Sequence, residues 1–340
     1  MKNEELGNQF MELIAKAMGG NAETLEDKIK EIVQKTVADM GSMTVTHEFR
    51  IGDADPSKIE GIVCEEFDEV LSWSIGRTAK GNYNNVMLTG PAGTGKGTIA
   101  RQLAEALDAE FYEVNAVQDK FELTGFVSAG SDYVPSIFYN ACESASSGNE
   151  VVFLFDEIDC SIPDVLKLFN EALSSFEFTF PSNESFNFKE HMHFICAANT
   201  YGTGADMKYV GNQLDSSTRD RFAMVEIGYD ERVELACAGG DKELVEFFHA
   251  VRSASVNIPT LETGYRSIER VASMRGRLDM RKVLKQGFTK SLSSDAVGNI
   301  ASTILTVIPS NPYARALNGE DVTFEAPSTK KTRKTEKKSA

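Results

Sequence analysis

Apolar residues change their spacing several times along this chain, and each change predicts an element. Residues 4–18 and 23–38 repeat at helical spacing, with Leu6, Phe10, Leu13, Ile14 and Met18 on one face and Leu25, Ile29, Ile32, Val33 and Val37 on another. They predict a small helical N-terminal element over residues 1–42, either a packing or partner-binding piece or a cap on the next domain. Residues 43–51 alternate as a strand does, and Ile62 to Ile75 reads as a helix. Short unbroken apolar runs then take over: Val86-Met87-Leu88, Val151-Val152-Phe153-Leu154-Phe155 and Phe194-Ile195-Cys196-Ala197-Ala198. A run without alternation suits a strand covered on both faces. Helical segments separate these runs, so the pattern predicts an α/β core over residues 43–230, a parallel sheet flanked by helices.

Two segments interrupt that rhythm. Residues 121–135 and 176–188 each carry β-prone runs around a turn, Gly130-Ser131-Asp132 in the first and Pro181-Ser182-Asn183-Glu184 in the second, and both predict hairpins. From residue 231 to about 300 the pattern is helical throughout, which predicts a small helical domain. Beyond Ala301 the chain turns rich in Pro, Asn, Ser and Lys, and residues 310–340 are expected to be a disordered tail.

Charge and composition narrow the function. The chain has 340 residues and a net charge of −16, a poor starting point for broad contact with a phosphate backbone. That leaves room for a local basic surface, as in a pore built by several subunits. The run from Lys330 to Lys338 carries six cations against one anion, and reads as a solubilising tail ahead of a site for an acidic partner or nucleic acid. No apolar run approaches the ~20 residues needed to span a bilayer. The polar start, Met1-Lys2-Asn3-Glu4-Glu5, lacks signal-peptide character, so a cytoplasmic setting is expected. The five cysteines show no metal-ligand spacing and read as reduced, mostly buried thiols. His191-Met192-His193 is either a metal pair or two alternate positions on a strand, and the second is the better reading.

The candidate chemistry begins at Gly90-Pro91-Ala92-Gly93-Thr94-Gly95-Lys96-Gly97-Thr98, between a predicted strand and a predicted helix. Glycines there let successive backbone N–H groups face one concavity, the helix N-terminus adds partial positive charge, and Lys96 reaches outer phosphates. Gly97 stands where such loops usually have a hydroxyl for Mg²⁺. About sixty residues on, a buried strand ends in Asp156-Glu157. Neighbouring acids at a sheet edge can divide phosphoryl-transfer work, Asp156 holding Mg²⁺ through water and Glu157 activating a water molecule. A further buried strand ends at Asn199, which could orient that water or merely cap a turn. Arg219 and Arg221 could supply a cation to a neighbour's nucleotide, or be solvated surface charges.

In combination these motifs resemble an AAA+ ATPase over roughly residues 45–290. GPAGTGKGT is similar to Walker A, VVFLFDEID to Walker B, HFICAANT to sensor 1 and LDSSTRDRF to the arginine-finger box. The two inserted hairpins resemble the MoxR-type, dynein-related branch, which includes the cobaltochelatase ATPase subunit, gas-vesicle and rubisco-activating relatives, and compact phage-encoded ATPases. The resemblance implies a P-loop NTPase fold with a helical lid over residues 231–300. It also implies ATP and Mg²⁺ as cofactors, a homo-oligomeric ring (a hexamer), and remodelling of a protein partner, for which one with a von Willebrand A domain is a reasonable guess. By position it implies that Lys96 and Thr98 hold phosphates, Asp156 holds Mg²⁺ and Glu157 is the base. Asn199 would be the sensor and Arg221 the finger, with Arg219 as second choice. Asn115 would restrain Glu157, and Arg266 would be the lid's sensor arginine in preference to Arg275. Two rivals remain: a nucleotide kinase, because GKGT also suits one, and a nucleic-acid motor.

Overall fold

The computed structural model describes residues 46–49, 57–205, 209, 211–255, 261–287 and 292–325. The N-terminal helices predicted over 4–18 and 23–38 and the basic run 330–338 lie outside the described residues.

The chain enters through β1 (Thr46–Phe49), which pairs antiparallel with β2 (Ser57–Glu60). Next come α1 (Phe67–Ile75), β3 (Asn85–Thr89), α2 (Lys96–Leu107) and β4 (Glu110–Val114). The first inserted segment holds α3 (Lys120–Thr124), β5 (Phe126–Val127) and β6 (Tyr133–Val134). Then come α4 (Ile137–Ser146), β7 (Val151–Phe155), a 3-10 turn at Ile158–Cys160 and α5 (Pro163–Ser175). The second insertion is β8 (Glu177–Thr179) and β9 (Ser185–Asn187), followed by β10 (Met192–Ala198), α6 (Ser216–Arg219) and β11 (Phe222–Glu226). Helices α7 (Glu231–Cys237), α8 (Lys242–Ala254), α9 (Tyr265–Met274), α10 (Met280–Gly287), α11 (Ser294–Val307) and α12 (Pro312–Asn318) complete it.

The five central strands run parallel in the order β11-β3-β10-β7-β4. Their unbroken apolar runs have a direct cause. Phe153, Phe155, Phe194 and Cys196 face one core, with Phe138 of α4 and Phe169 of α5. The alternate residues Val152, Leu154, Ile195 and Ala197 face the other, with Phe67 of α1 and Leu103 of α2. Strands β3, β7 and β10 are therefore buried on both sides, whereas β4 and β11 at the sheet's edges are partly exposed. Phe138 is the hub of the first core, its ring centre lying 5.1 Å from that of Phe153 and 5.4 Å from that of Phe178 in the second insertion.

Two expectations need correction. The first insertion is only partly a hairpin: residues 120–124 form a helical turn, because the Asp119 side chain accepts from Phe121 N at 2.9 Å and starts it. The ordered chain also runs past residue 301 into α11 and α12, where a disordered tail was expected from 310. Asn311 caps α12 by accepting from Tyr313 N at 3.0 Å, Pro312 sits in its first turn, and Gly319 ends it at φ 99°. Tyr313, Ala314, Ala316 and Leu317 then bury one face against the helical domain's own core, with Phe247 and Ile304. A large side chain buried this way contributes roughly 1.5–3 kcal/mol, enough to order a short helix that composition alone does not suggest.

Candidate active site

The glycine-rich loop joins the C-terminal end of β3 to the start of α2, at the sheet edge where open α/β folds bind ligands. Gly90 has φ 137°, and a Cβ there would lie 2.2 Å from the Ile227 carbonyl oxygen, so only glycine fits. Lys96, the first residue of α2, is 7% exposed. Its Nζ donates to the carbonyls of Gly90 (2.8 Å) and Pro91 (2.9 Å) and to Asn199 Oδ1 (3.0 Å). Burial lowers its pKa to about 8, against the opposing pull of Asp156, Asp159 and Glu157. Gly97 is open: a Cβ would meet only Leu154 Cδ2 at 3.9 Å. Thr98 is exposed one position further along the first turn of α2.

Across from the lysine, β7 delivers Asp156 and Glu157. The Asp156 backbone N–H donates to the Val114 carbonyl at 2.8 Å, and its Oδ1 accepts from Glu157 N at 3.0 Å. Glu157 has φ 50°, the left-handed region, where a non-glycine residue carries strain of order 1 kcal/mol; such strain concentrates at functional sites. Asn199 follows β10 and meets Lys96, so the structure brings together the lysine, the acid pair's strand end and the expected sensor. Asn115, expected beside Glu157, turns its Oδ1 to the N–H of its own neighbour Ala116 at 2.7 Å.

One acid went unnoticed in the sequence. Asp159 is 1% exposed, accepts from Thr200 Oγ1 at 2.9 Å, and leaves Oδ1 buried without a hydrogen-bond partner. Burial raises its pKa. The repeat of acids in Asp156-Glu157-Ile158-Asp159 was the available signal, and only the 3-10 turn reveals that the last of them points inward.

The arginines separate by position. Phe222 of β11 pairs with Asn85 of β3, and Glu226 pairs with Thr89. Arg221 therefore lies at the opposite end of these strands from the phosphate loop, roughly 17 Å away at about 3.3 Å per residue. Its Nε donates to Ser174 Oγ at 2.8 Å and its Nη1 to the Ser217 carbonyl. Arg219 packs its Cδ over Gly202, where an added Cβ would sit 3.0 Å away, and its Nε is buried without a hydrogen bond.

Between the loop and the helical domain lies a cavity of about 830 Å³, lined by Pro91, Ala92, Asn199, Tyr229, Arg252 and Arg266, among others. Arg266 enters it from the start of α9. Arg275, the alternative, is bound to Asp241 inside the helical domain, next to the Tyr313 hydroxyl that also donates to Asp241. The start of α9 rests on the loop itself: Tyr265 N donates to the Gly93 carbonyl at 3.0 Å. The Ala92 peptide is held on both sides, its N–H donating to Tyr209 Oη (3.0 Å) and its carbonyl accepting from Tyr229 Oη (3.3 Å). Arg252 stacks on Tyr229, 3.7 Å from the ring centre, and pairs with the buried carboxylate of Glu234. None of these tyrosines stood out in the sequence, where no motif marks them.

Residues 85–222, from β3 to the start of β11, match the model of the AAA domain (dynein-related subfamily). The fold is the AAA+ P-loop NTPase fold. Among curated proteins the chain is similar to Lon protease homologues. One from Scheffersomyces stipitis is 25% identical over 244 residues, covering 66% of this chain and 21% of that protein. One from Clostridioides difficile is 26% identical over 271 residues, covering 72% of this chain and 32% of that protein. The chain thus spans about a fifth to a third of the length of these relatives. Among solved structures, the Thermotoga maritima RuvB Holliday junction branch migration motor aligns with a TM-score of 0.41 at 18% identity, covering 76% of this chain and 82% of that one.

The AAA+ core also accounts for the two histidines. Both lie on one carboxylate: His191 Nδ1 is 3.0 Å and His193 Nε2 is 2.8 Å from Glu150, with the His193 Nδ1 donating to the Ser74 carbonyl. No cluster of metal-ligating side chains occurs among the described residues. Around Asp156 the donors are oxygens only, which suits a hard cation that keeps most of its water and takes its remaining ligands from phosphate. Those residues fit magnesium bound together with a nucleotide.

Proposed function

We propose that this chain hydrolyses ATP in a homo-oligomeric ring, hexameric by resemblance, and uses the cycle to remodel a protein partner. The observation that carries this reading is the placement of Arg221. It sits one strand length from its own phosphate loop, so its guanidinium can serve a nucleotide only in an adjacent subunit.

Each residue then has a task that its position supports. The loop N–H groups and Lys96 bind phosphate oxygens, which draws Lys96 off the Gly90 and Pro91 carbonyls. Asp156 would hold magnesium, whose charge offsets that of the phosphates. Glu157 takes the proton of the attacking water while Asn199 orients it. The neighbour's Arg221 and the lid's Arg266 neutralise charge that develops in the transition state. Because α9 rests on Gly93, filling and emptying the cavity moves the helical domain over residues 231–318 against the sheet. The inserted segment 120–134 carries exposed apolar side chains, including Phe126 and Val127, suited to gripping a protein. The resemblance to MoxR-type ATPases supports a partner with a von Willebrand A domain. The net charge of −16 weighs against nucleic acid, and a nucleotide kinase would have no use for the Asn199 strand end or the Arg219–Arg221 segment.

Capture on a tagged Glu157→Gln variant with ATP tests this reading. A ring carrying a bound protein is expected; a monomer that hydrolyses ATP at the parent rate overturns it.

A further inference from the structure

Residues 199–205 lead away from the sensor strand, and residues 211–221 come back beside them carrying the two arginines. The outgoing leg is fastened to the buried Asp159 side chain and the returning leg to the backbone carbonyls of Asp159 and Ser161. On the outgoing leg, Thr200 Oγ1 donates to Asp159 Oδ2 at 2.9 Å and accepts from Gly202 N at 3.2 Å. On the returning leg, Asn212 N donates to the Asp159 backbone carbonyl at 2.6 Å, and Asn212 Nδ2 donates to the Ser161 carbonyl at 2.9 Å. Gly211 passes so close that a Cβ would lie 3.2 Å from Asp159 Oδ2. The legs also join each other, with Leu214 N donating to the Gly202 carbonyl at 3.0 Å and a bridge between Thr203 and Gln213. Directly after the returning leg, Asp215 caps α6, which holds Arg219 and leads into Arg221.

The geometry points to Asp159 as a positioning residue that sets the arginine segment each subunit presents to its neighbour. It does not touch the nucleotide site of the neighbour; its carboxylate acts through Thr200 and the Gly202–Leu214 bond to α6, while its backbone carbonyl holds Asn212. The inference rests on the inter-subunit reading above. A second feature separates it from a plain brace. A carboxylate buried with one oxygen unpaired is costly, a cost that a plain brace does not require. Here the carboxyl group lies in the 3-10 turn that directly follows the acid pair, near Lys96. The arginine segment is thus tied to the residues that respond to phosphate in its own subunit, so one subunit's nucleotide state can be passed to the site it completes next door.

Mixed rings read this directly. Arg221→Ala subunits keep a whole nucleotide site but donate no guanidinium, and Glu157→Gln subunits donate one but cannot hydrolyse. Their mixture is the reference. Placing Asp159→Asn in the Glu157→Gln subunit leaves the hydrolysing subunit untouched. The expected result is a fall in the mixture's kcat of about 10- to 100-fold, as for a catalytic group displaced by about an ångström, with KM for ATP within about twofold. Thr200→Val in the same donor subunit, which removes the hydroxyl and keeps the carboxylate, is expected to reproduce the fall, and carries the test alone if the Asp159 variant does not assemble. A donor carrying either change that supports the reference rate overturns the assignment. A reference mixture that is itself inactive overturns the inter-subunit reading, and this inference with it.

Discussion

Gly264 lies directly against Gly93: a Cβ on Gly264 would be 2.8 Å from the Gly93 Cα, and one on Gly93 would be 2.9 Å from the Gly264 Cα. This backbone-to-backbone contact is where the lid meets the phosphate loop, and it places Tyr265 N within 3.0 Å of the Gly93 carbonyl. Gly264→Ala is expected to push α9 off the loop at a cost of about 1–3 kcal/mol, typical of overpacking. Calorimetric titration with ATP should show affinity weakened by about tenfold or more, with an unchanged far-ultraviolet spectrum. Parent affinity would show that the contact is incidental.

The space beside Gly97 leads to the opposite expectation. A Cβ there would meet only Leu154 at 3.9 Å, so Gly97→Thr is expected to add the hydroxyl that phosphate loops usually offer. Binding of ATP with magnesium should be preserved or tightened. A large loss would mean that a phosphate oxygen approaches the backbone too closely for any side chain.

Lys96 gives the free protein a pH signature. Its folded pKa of about 8 lies below the ~10.4 of an exposed lysine, so between those values the unfolded chain binds more protons and stability rises with pH. Nucleotide favours the charged lysine. Affinity for a non-hydrolysable ATP analogue should therefore fall as pH rises above 8, with a limiting slope of about tenfold per unit. A flat profile from pH 7 to 9.5 would contradict the burial of this group.

Glu150 shows the converse. Burial alone would raise its pKa, but the hydrogen bonds from His193 and His191 and their charges bring it down to about 2. A carboxylate depressed in this way contributes stability fully above its unfolded value of ~4.3, and that contribution is lost as pH falls from there toward 2. Glu150→Gln should lower stability by roughly 1–3 kcal/mol at neutral pH, measured by urea unfolding, with the gap to the parent closing in acid. A gap that persists below pH 2 would show that the loss is steric.

Legibility in the sequence depended on how local each signal is. The phosphate loop, the acid pair and the sensor strand are contiguous runs whose chemistry and flanking elements are written side by side, and the sheet places them together as the motifs implied. Asp159 was hidden because its inward direction depends on the 3-10 turn at Ile158–Cys160 and on the distant Thr200 and Asn212. The tyrosines at Ala92 are equally non-local. The helix at Pro312–Asn318 was missed for a different reason: Asn311, Pro312 and Gly319 do mark its ends, but the surrounding polar composition outweighed four apolar positions. For the histidine pair, alternate strand positions were the better reading, but the shared partner Glu150, some forty residues away, was not legible.

The central claim is that the active site is shared between subunits, and mixing two inactive proteins tests it. Arg221→Ala alone should bind ATP like the parent and hydrolyse it about 10³-fold more slowly or worse, and Glu157→Gln alone should also be inactive. Combined in equal amounts and allowed to exchange, they should regain up to about a quarter of the parent rate, because about one boundary in four then pairs an intact base with a donated guanidinium. A mixture no more active than its two components would place Arg221 outside the neighbour's site and contradict the account.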